Sequence, residues 1–272
     1  YKGEYAIVKN EKGRGVINTS GEIMIEHKYE RIQYHSNFGL FYAWRGKVVT
    51  VFDSHCRYVT CLECDEIYPI STHYTKFKRG RDGFGFICHK TGMESYGYDD
   101  VGSEGEGLIS VKKEGKWGYV NSDGMLVVQY LFDYAGSFRN RSAIVSITIT
   151  KERLEDELGV FAGRQRWGLL GNNGQLLAPC IYETIRYVKD SNYSILAASI
   201  IGIKTFLNNN GEPLSMMEDG RLLHLSDGYG CGPCFIEGRT LVYGDDGIGC
   251  ADIKGDIVVG YRRFSNVLKG PE

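Results

Sequence analysis

Short runs of alternating apolar and polar residues, separated by tight turns, are clearest between residues 108 and 135. The first run ends at a turn on Glu114-Gly115, a second run opens on Trp117-Gly118, and a third follows the turn at 122–124. Alternation with a period of two indicates strands, and glycine readily adopts the positive φ that hairpin turns require. The stretch therefore predicts three or four short strands joined as an antiparallel meander.

Weaker copies of this meander recur along the chain. A glycine or a substitute opens the second run at positions 15, 50, 85, 118, 168, 205 and 249, and a turn residue follows about six positions later. The spacing corresponds to a period of about 35 residues with two insertions, which is typical of repeat architectures. We therefore predict a single array of seven units, with approximate bounds 1–39, 40–73, 74–106, 107–141, 142–193, 194–229 and 230–272.

A closing motif follows the last run of several units, in which an aromatic residue introduces an acidic or polar pair and then an apolar residue. Its clearest copies are at 29–32, 98–101, 132–135 and 182–185. One such meander cannot bury both faces of its sheet, so each unit needs neighbours. We expect an all-β fold in which the units close as a propeller-like ring or stack as an open β-superhelix. Seven units of four strands favour the ring, which we prefer, although the period is short for a propeller blade.

Two units carry a more specific signature. The run 116–121 with Asp123-Gly124 and the motif at 132–134, and the run 166–170 with Gly174 and Tyr182-Glu183, resemble the WG-repeat family of bacterial proteins. The signature positions are Trp117, Gly118, Gly124, Asp133, Trp167, Gly168, Gly174 and Tyr182. At the tryptophan position the other units have Arg14, Val49, Phe84, Lys204 and Ile248. The resemblance implies a tandem β-repeat binding or scaffolding module and no catalytic set. We expect the tryptophans to pack between repeats rather than to stack on a ligand.

Charge and hydropathy exclude several classes of partner. The net charge is −2, from 32 basic and 34 acidic side chains. With no block of like charges, the chain lacks the basic footprint of a nucleic-acid-binding protein. No apolar run approaches the roughly 18 residues of a transmembrane helix. The chain starts at Tyr1 rather than at Met, as a mature or excised segment does, and we slightly favour an extracytoplasmic location.

The cysteines are the main candidates for chemistry. Cys231-Gly232-Pro233-Cys234 has the same four residues as the thioredoxin active site, but the βαβ pattern of that fold is absent. A second pair, Cys61 and Cys64, could form a four-thiolate zinc site together with Cys231 and Cys234. Such a site requires distant units of the array to meet. We therefore expect a disulfide within the 231–234 pair or free thiols. No histidine or glycine motif indicates a hydrolase or a nucleotide site, so we predict no catalytic residue, cofactor or metal.

The insertion at 147–164 has helical composition and is either a partner-docking loop or a solvated hairpin. For function, the sequence favours a non-enzymatic binding or scaffolding module for a protein or peptide partner. The alternative is a glycan or cell-envelope ligand bound through exposed aromatic residues, since the chain has 19 tyrosines. A weaker alternative is a thiol redox protein that uses Cys231 and Cys234.

Overall fold

A computed structural model of the chain describes residues 4–149, 164–188, 195–200, 203–212, 217–218, 221–222, 239–244, 247–252 and 257–262. Most of the described residues lie in strands, and the strands form several small antiparallel sheets. The all-β prediction is therefore confirmed. Within the described ranges, no helix is long and apolar enough to cross a membrane.

The chain divides into two compact units, Tyr1–Tyr130 and Leu131–Glu272. The first unit contains four sheets, named A to D, in which consecutive strands are neighbours. Sheet A contains β1 (Tyr5–Asn10), β2 (Gly13–Asn18) and β3 (Ile23–Tyr29). Sheet B contains β4 (Arg31–His35), β5 (Leu40–Arg45), β6 (Val48–Phe52) and β7 (Tyr58–Glu63). Sheet C contains β8 (Glu66–Pro69), β9 (Tyr74–Lys78), β10 (Phe84–Cys88) and β11 (Glu94–Tyr98). Sheet D contains β12 (Asp100–Gly105), β13 (Leu108–Lys113), β14 (Lys116–Val120) and β15 (Leu126–Phe132), whose end begins the second unit.

The second unit continues the same strand order. Sheet E contains β16 (Tyr134–Ala135), β17 (Ser142–Thr148), β18 (Gln165–Gly171) and β19 (Leu176–Tyr182). Sheet F contains β20 (Thr184–Tyr187), β21 (Ile195–Ile200) and β22 (Ile203–Asn208). The remaining strands are β23 (Met217–Glu218), β24 (Arg221–Leu222), β25 (Arg239–Gly244), β26 (Gly247–Asp252) and β27 (Ile257–Arg262). Residues 150–163 of the predicted insertion lie outside the described residues.

The core of the first unit consists of apolar clusters between consecutive sheets. Between sheets A and B the cluster includes Val16, Ile25 and Phe41, and between sheets B and C it includes Tyr42 and Phe77. Between sheets C and D it contains Tyr74, Phe86, Cys88, Tyr98, Val101, Ile109, Val111 and Val120. In the second unit one cluster joins sheets E and F. Both faces of sheets B and C are thus buried by their neighbours, as the repeat pattern requires.

The closing motif joins one sheet to the next. Asp99 follows the last residue of β11, and its backbone N–H donates to the carbonyl of Lys112 on β13, with N and O 2.9 Å apart. Its carboxylate accepts a 2.8 Å hydrogen bond from the N–H of Gly115 in the β13–β14 turn. Equivalent pairs of bonds link Glu30 to Trp44 and Gly46, and Asp65 to Lys78 and Gly80. The acidic residue therefore caps the hairpin of the following sheet.

The glycine at each marker position allows the close approach of the next strand. A Cβ atom added at Gly118 would lie 2.5 Å from the carbonyl oxygen of Val128 on β15. Gly15, Gly85 and Gly168 are equally crowded by carbonyl oxygens, and the strand register shifts beside each of them. At Thr50 the register between β6 and β7 is regular. The second copy, which has no bulge at the marker position, therefore has a residue with a side chain, Thr50, where the other copies have glycine.

The degenerate second copy keeps the backbone of the turn. Gly21, Gly124 and Gly174 have φ values of 83°, 75° and 82° at the turn that follows the marker. Cys56 takes the same place in the second copy, with a φ of 61°. A non-glycine residue rarely adopts this conformation, so the shared turn geometry confirms Cys56 as the turn residue of a repeat.

Candidate binding site

A cleft lies between the first three strands of sheet C and the first strand of sheet D. It encloses about 440 Å³. Its lining residues are Tyr68, Pro69, Ile70, Lys76, Phe84, Asp100, Val101, Gly102 and Ser103. The strand order places β8 at one end of sheet C and β12 at one end of sheet D, with no further strand beside either in the described chain. The cleft is therefore bordered by two strand edges, which have backbone groups available for pairing.

An ion pair and two aromatic rings determine the chemistry of the cleft. The Lys76 ammonium pairs with the Asp100 carboxylate. The same ammonium lies 4.3 Å from the centroid of the Phe84 ring and 5.9 Å from that of Tyr68, distances at which a cation is attracted to the ring face. Asp100 also accepts a 2.8 Å hydrogen bond from the backbone N–H of Val101. The cleft is thus polar but close to neutral.

Tyr68 gives the cleft an exposed aromatic wall. Its side chain is 44% exposed, and its hydroxyl donates to the carboxylate of Glu66 on the same strand. This hydrogen bond lowers the pKa of Glu66 and raises the pKa of Tyr68. Glu66 also pairs with Lys78, at 3.4 Å. The ring is therefore held at the mouth of the cleft by its polar end, and it stays partly exposed although the Lys76 ammonium lies over one of its faces.

A second polar cluster joins sheets B and C. The Tyr42 hydroxyl lies 2.9 Å from Thr75 Oγ1, which lies 2.8 Å from His89 Nε2. His89 Nδ1 lies 3.0 Å from the carbonyl of Thr72 and must donate to it, because a carbonyl only accepts. Thr75 then donates to Nε2 and accepts from Tyr42. Burial lowers the pKa of His89 and raises that of Tyr42, so both are held neutral, and the cluster links the two sheets.

A family model described as a WG-containing repeat matches residues 15–42, 96–117 and 117–142. These three segments therefore match the WG-containing repeat, whereas residues 43–95 and the unit of Trp167 are not matched. The resemblance noted in the sequence is confirmed over the three matched segments.

No curated protein matches the chain. The solved structures that resemble it are distant. The computationally designed Ika8 protein is 12% identical, with 95% of this chain and 84% of that chain covered and a TM-score of 0.36. A eukaryotic initiation factor is 12% identical over 94% and 84%, with a TM-score of 0.38. BamB from Moraxella catarrhalis is 12% identical over 84% and 83%, with a TM-score of 0.37. Scores this low support no conclusion about fold or function.

The tryptophans named in the WG repeats are half-buried and contact the protein. Trp167 lies against the cluster between sheets E and F, and its ring is 5.2 Å from that of Tyr134 in an edge-to-face arrangement. Trp117 lies 3.1 Å from the position of a Cβ atom at Gly102, so this glycine makes room for the ring. Gly102 also lines the cleft. The WG-repeat residue Trp117 therefore packs on the strand that forms one wall of the candidate site.

The remaining signature residues have local structural roles. Gly118 and Gly168 are the close-approach glycines, and Gly124 and Gly174 are the positive-φ turn residues described above. The Asp133 carboxylate accepts a hydrogen bond from the N–H of Thr148, as its counterparts do in earlier repeats. The Tyr182 side chain is buried in the cluster between sheets E and F. None of these residues lines the cleft.

Of the four cysteines singled out in the sequence, the structure describes Cys61 and Cys64. Cys231 and Cys234 lie outside the described residues. The five cysteines with described side chains are free thiols, with Cys61 exposed and Cys64 buried. Burial raises the pKa of Cys64 to about 11, which disfavours the thiolate that zinc requires. Among the described residues, no group of three or more His, Cys, Asp or Glu side chains is arranged to hold a metal ion.

Sequence reasoning missed the cleft. Its residues come from four strands, and neither Lys76 nor Asp100 belongs to a recognisable motif. No local signal identified Lys76, because it lies between Thr75 and Phe77 and shares its face of β9 with Lys78. Only the structure shows that its ammonium is largely buried and therefore requires a partner. The order of the repeats places sheet D beside sheet C, and Asp100 on β12 is that partner.

Proposed function

We propose that this chain is a binding module for an extended peptide segment of a partner protein, which it holds in the cleft between sheets C and D. The observation that carries the proposal is the cleft itself, with the exposed ring of Tyr68 at its mouth and the Lys76–Asp100 pair inside. Its volume of about 440 Å³ is within the range of sites that hold small ligands. It has room for a large side chain of a peptide.

The two strand edges favour a peptide as the ligand. β8 and β12 each end a sheet in the described chain, so each has one side without a paired strand, although Pro69 of β8 has no N–H and the N–H of Val101 on β12 already donates to Asp100. An extended peptide can pair with such an edge, with main-chain hydrogen bonds providing affinity and side-chain pockets providing specificity. The cleft supplies a pocket next to both edges.

The charges of the cleft restrict which peptide side chain can insert into it as the anchor residue. Lys76 and Asp100 neutralise each other, so a strongly charged side chain would have to displace one of them. An aromatic or aliphatic side chain with a polar end can instead contact Tyr68, donate to the Asp100 carboxylate, and donate to or accept from the Ser103 hydroxyl. We therefore propose an uncharged anchor residue, flanked by residues in extended conformation.

Glycan binding remains the second candidate, because an exposed tyrosine beside a carboxylate and a serine is also suited to a sugar ring. The tyrosine content of the chain adds little support for glycan binding. Among the 14 tyrosines with described side chains, only Tyr58, Tyr68, Tyr96 and Tyr134 are exposed. These four belong to three different sheets. A redox role for Cys231 and Cys234 stays a hypothesis that a Cys231→Ser variant can test.

For the arrangement of the sheets, we propose a closed ring rather than an open superhelix. Support comes from the seven markers and from the burial of both faces of sheets B and C within the first unit. Small-angle X-ray scattering distinguishes the two arrangements. A radius of gyration near the ~18.5 Å of a globule of this length supports a ring, and a clearly larger value contradicts it.

The binding proposal is tested with a phage-displayed library of random peptides, selected on the immobilised full chain. We expect enriched peptides to lose at least about tenfold in affinity for a Tyr68→Ala variant, since an aromatic anchor contact commonly contributes ~1.4 kcal/mol or more. The matched control is Tyr96→Ala on β11, which removes an exposed ring outside the cleft.

A glycan array is screened in parallel with the same variants. Glycan binding that depends on Tyr68, without peptide enrichment, would replace the peptide proposal with its alternative. Equal effects of the Tyr68 and Tyr96 substitutions, or no binding of either probe, would show that the cleft is not the site.

A further inference from the structure

The first strand of sheet D contains a bulge where it lines the cleft. The register between β12 and β13 shifts after Val101, so that two residues of β12, Gly102 and Ser103, lie opposite Ser110 alone. Both bulge residues line the cleft. In sheets B and C the first two strands pair in regular register. Bulges re-aim side chains and are frequent beside functional sites, so this one favours a role of β12 in binding.

The hydroxyl of Ser110 holds the bulge in place. Its oxygen accepts a 3.0 Å hydrogen bond from the backbone N–H of Ser103. The same hydroxyl donates to the backbone carbonyl of Ser103, with the two oxygens 3.2 Å apart. Ser110 has no exposed surface. One buried side chain therefore supplies both hydrogen bonds that the extra residue of a bulge loses from the strand ladder.

The residues around Ser110 fit this arrangement. In sheets B and C, Tyr42 and Lys76 occupy the position of Ser110, opposite the residue that follows the marker. Their longer side chains reach the next sheet instead. A Cβ atom at Gly102 would overlap the Ser110 hydroxyl oxygen and would lie 3.1 Å from the Trp117 ring. The bulge therefore depends on Gly102 and Ser110 together.

The bulge makes the hydroxyl of Ser103 available to a ligand. Ser103 is exposed and lines the cleft. Since Ser110 takes both of its backbone groups, the side-chain hydroxyl is the polar group of Ser103 that remains for a ligand. A hydroxyl can donate, whereas the carboxylate of Asp100 only accepts. Ser103 can therefore bind an acceptor, such as a peptide carbonyl, that the Asp100 carboxylate would repel.

We propose that Ser103 is a ligand-contacting residue, whose hydroxyl donates to a carbonyl of the bound peptide, and that Ser110 is its positioning residue. This assignment rests on the peptide-binding function proposed above. It adds a second contact to that of Tyr68, on the opposite wall of the cleft. Ser110 does not touch the ligand and acts only through the backbone of Ser103.

The test is a double-mutant cycle, measured by isothermal titration calorimetry with the peptide most enriched from the phage-displayed library on the full chain. We expect about fivefold weaker binding for Ser103→Ala and for Ser110→Ala, the size of one hydrogen bond. Because Ser110 acts through Ser103, the double variant should bind no more weakly than Ser103→Ala alone. The matched control is Ser142→Ala, which removes another fully buried hydroxyl that donates to a backbone carbonyl, outside the cleft, and should leave affinity unchanged.

A second measurement needs no ligand. Amide hydrogen exchange of the free chain, followed by NMR, should show about fivefold faster exchange of the Ser103 N–H in Ser110→Ala and an unchanged rate in Ser142→Ala. If Ser110→Ala impairs folding, which circular dichroism would reveal, Ser103→Ala still tests the contact, because its position is exposed.

Non-additive losses of affinity together with faster exchange at Ser103 support the assignment. Additive losses in the double variant, unchanged affinity in Ser103→Ala, equal loss in Ser142→Ala or an unchanged exchange rate would overturn it, while peptide binding through Tyr68 would stand. The absence of any peptide whose binding depends on Tyr68 would instead contradict the proposed function, and the assignment with it.

Discussion

Replacement of Gly118 by alanine tests the physical reason for the glycine of the WG pair. The new Cβ atom would lie 2.5 Å from the carbonyl oxygen of Val128 and 2.9 Å from that of Gln129. Ordinary contact begins at 3.4 Å, so β14 and β15 would have to separate by about 0.9 Å at this point. The obstacle is backbone, which cannot turn aside as a flexible side chain can.

The expected cost follows from overpacking. Forced shifts of this kind typically cost 1–3 kcal/mol, and we expect about 2 kcal/mol for Gly118→Ala. For a chain of this length that loss lowers Tm by roughly 4–8 °C. Differential scanning calorimetry and urea denaturation both measure it, and the m-value should stay unchanged because the clash does not alter the surface exposed on unfolding.

Thr50→Ala provides the matched control, because Thr50 occupies the same repeat position in the copy whose register is regular at this residue and shifts only between Val51 and Phe52. It creates no backbone contact, so we expect a change below about 1 kcal/mol. Equal destabilisation by the two substitutions, or a Gly118→Ala variant as stable as the wild-type chain, would refute the close-approach explanation.

Three further predictions concern the polar groups. Asp99→Ala should lower the free energy of unfolding, measured by urea denaturation, by about 1 kcal/mol. Asp99→Asn should lower it less, because the amide oxygen can still accept a hydrogen bond from the N–H of Gly115. Equal losses for the two variants would contradict the capping role. Burial lowers the pKa of His89, so the unfolded chain binds the proton more readily. Stability should therefore decrease as pH falls below about 6.5, and His89→Gln should flatten that dependence; an unchanged pH profile would count against a neutral His89. Iodoacetamide at neutral pH should label Cys61 and spare Cys64 in the folded chain, because Cys64 is buried and its pKa is raised to about 11. Mass spectrometry of the peptides measures the labelling of each cysteine. Rapid labelling of Cys64 would contradict its burial.

The strands and turns were predictable because their causes are local. Alternation of apolar and polar residues sets the strand faces, and a positive φ at the turn restricts the residue there, as at Gly21 and Gly124. One local signal was overlooked. Asn18, Asp53, Asn121 and Asn208 follow their markers by three positions, and each accepts hydrogen bonds from two backbone N–H groups of its turn. Short polar side chains favour such turns, so this repeat was readable from the sequence.

The closing motif was found in the sequence, but its role was decided by contacts with the next sheet. The pattern at 98–101 shows an aromatic residue, an acid and an apolar residue. It does not show that the Asp99 carboxylate reaches the turn at Gly115, 16 residues further along the chain. The pairing depends on how β12 and β13 are placed, which the residues of the motif do not specify alone.

Sequence alone determined that this chain is an all-β array of short meanders with glycines at the turns and close approaches, because these properties depend on residues a few positions apart. The tertiary structure decided which distant residues meet in the cleft between sheets C and D. The cleft requires Lys76 and Asp100, 24 residues apart, to meet between two sheets.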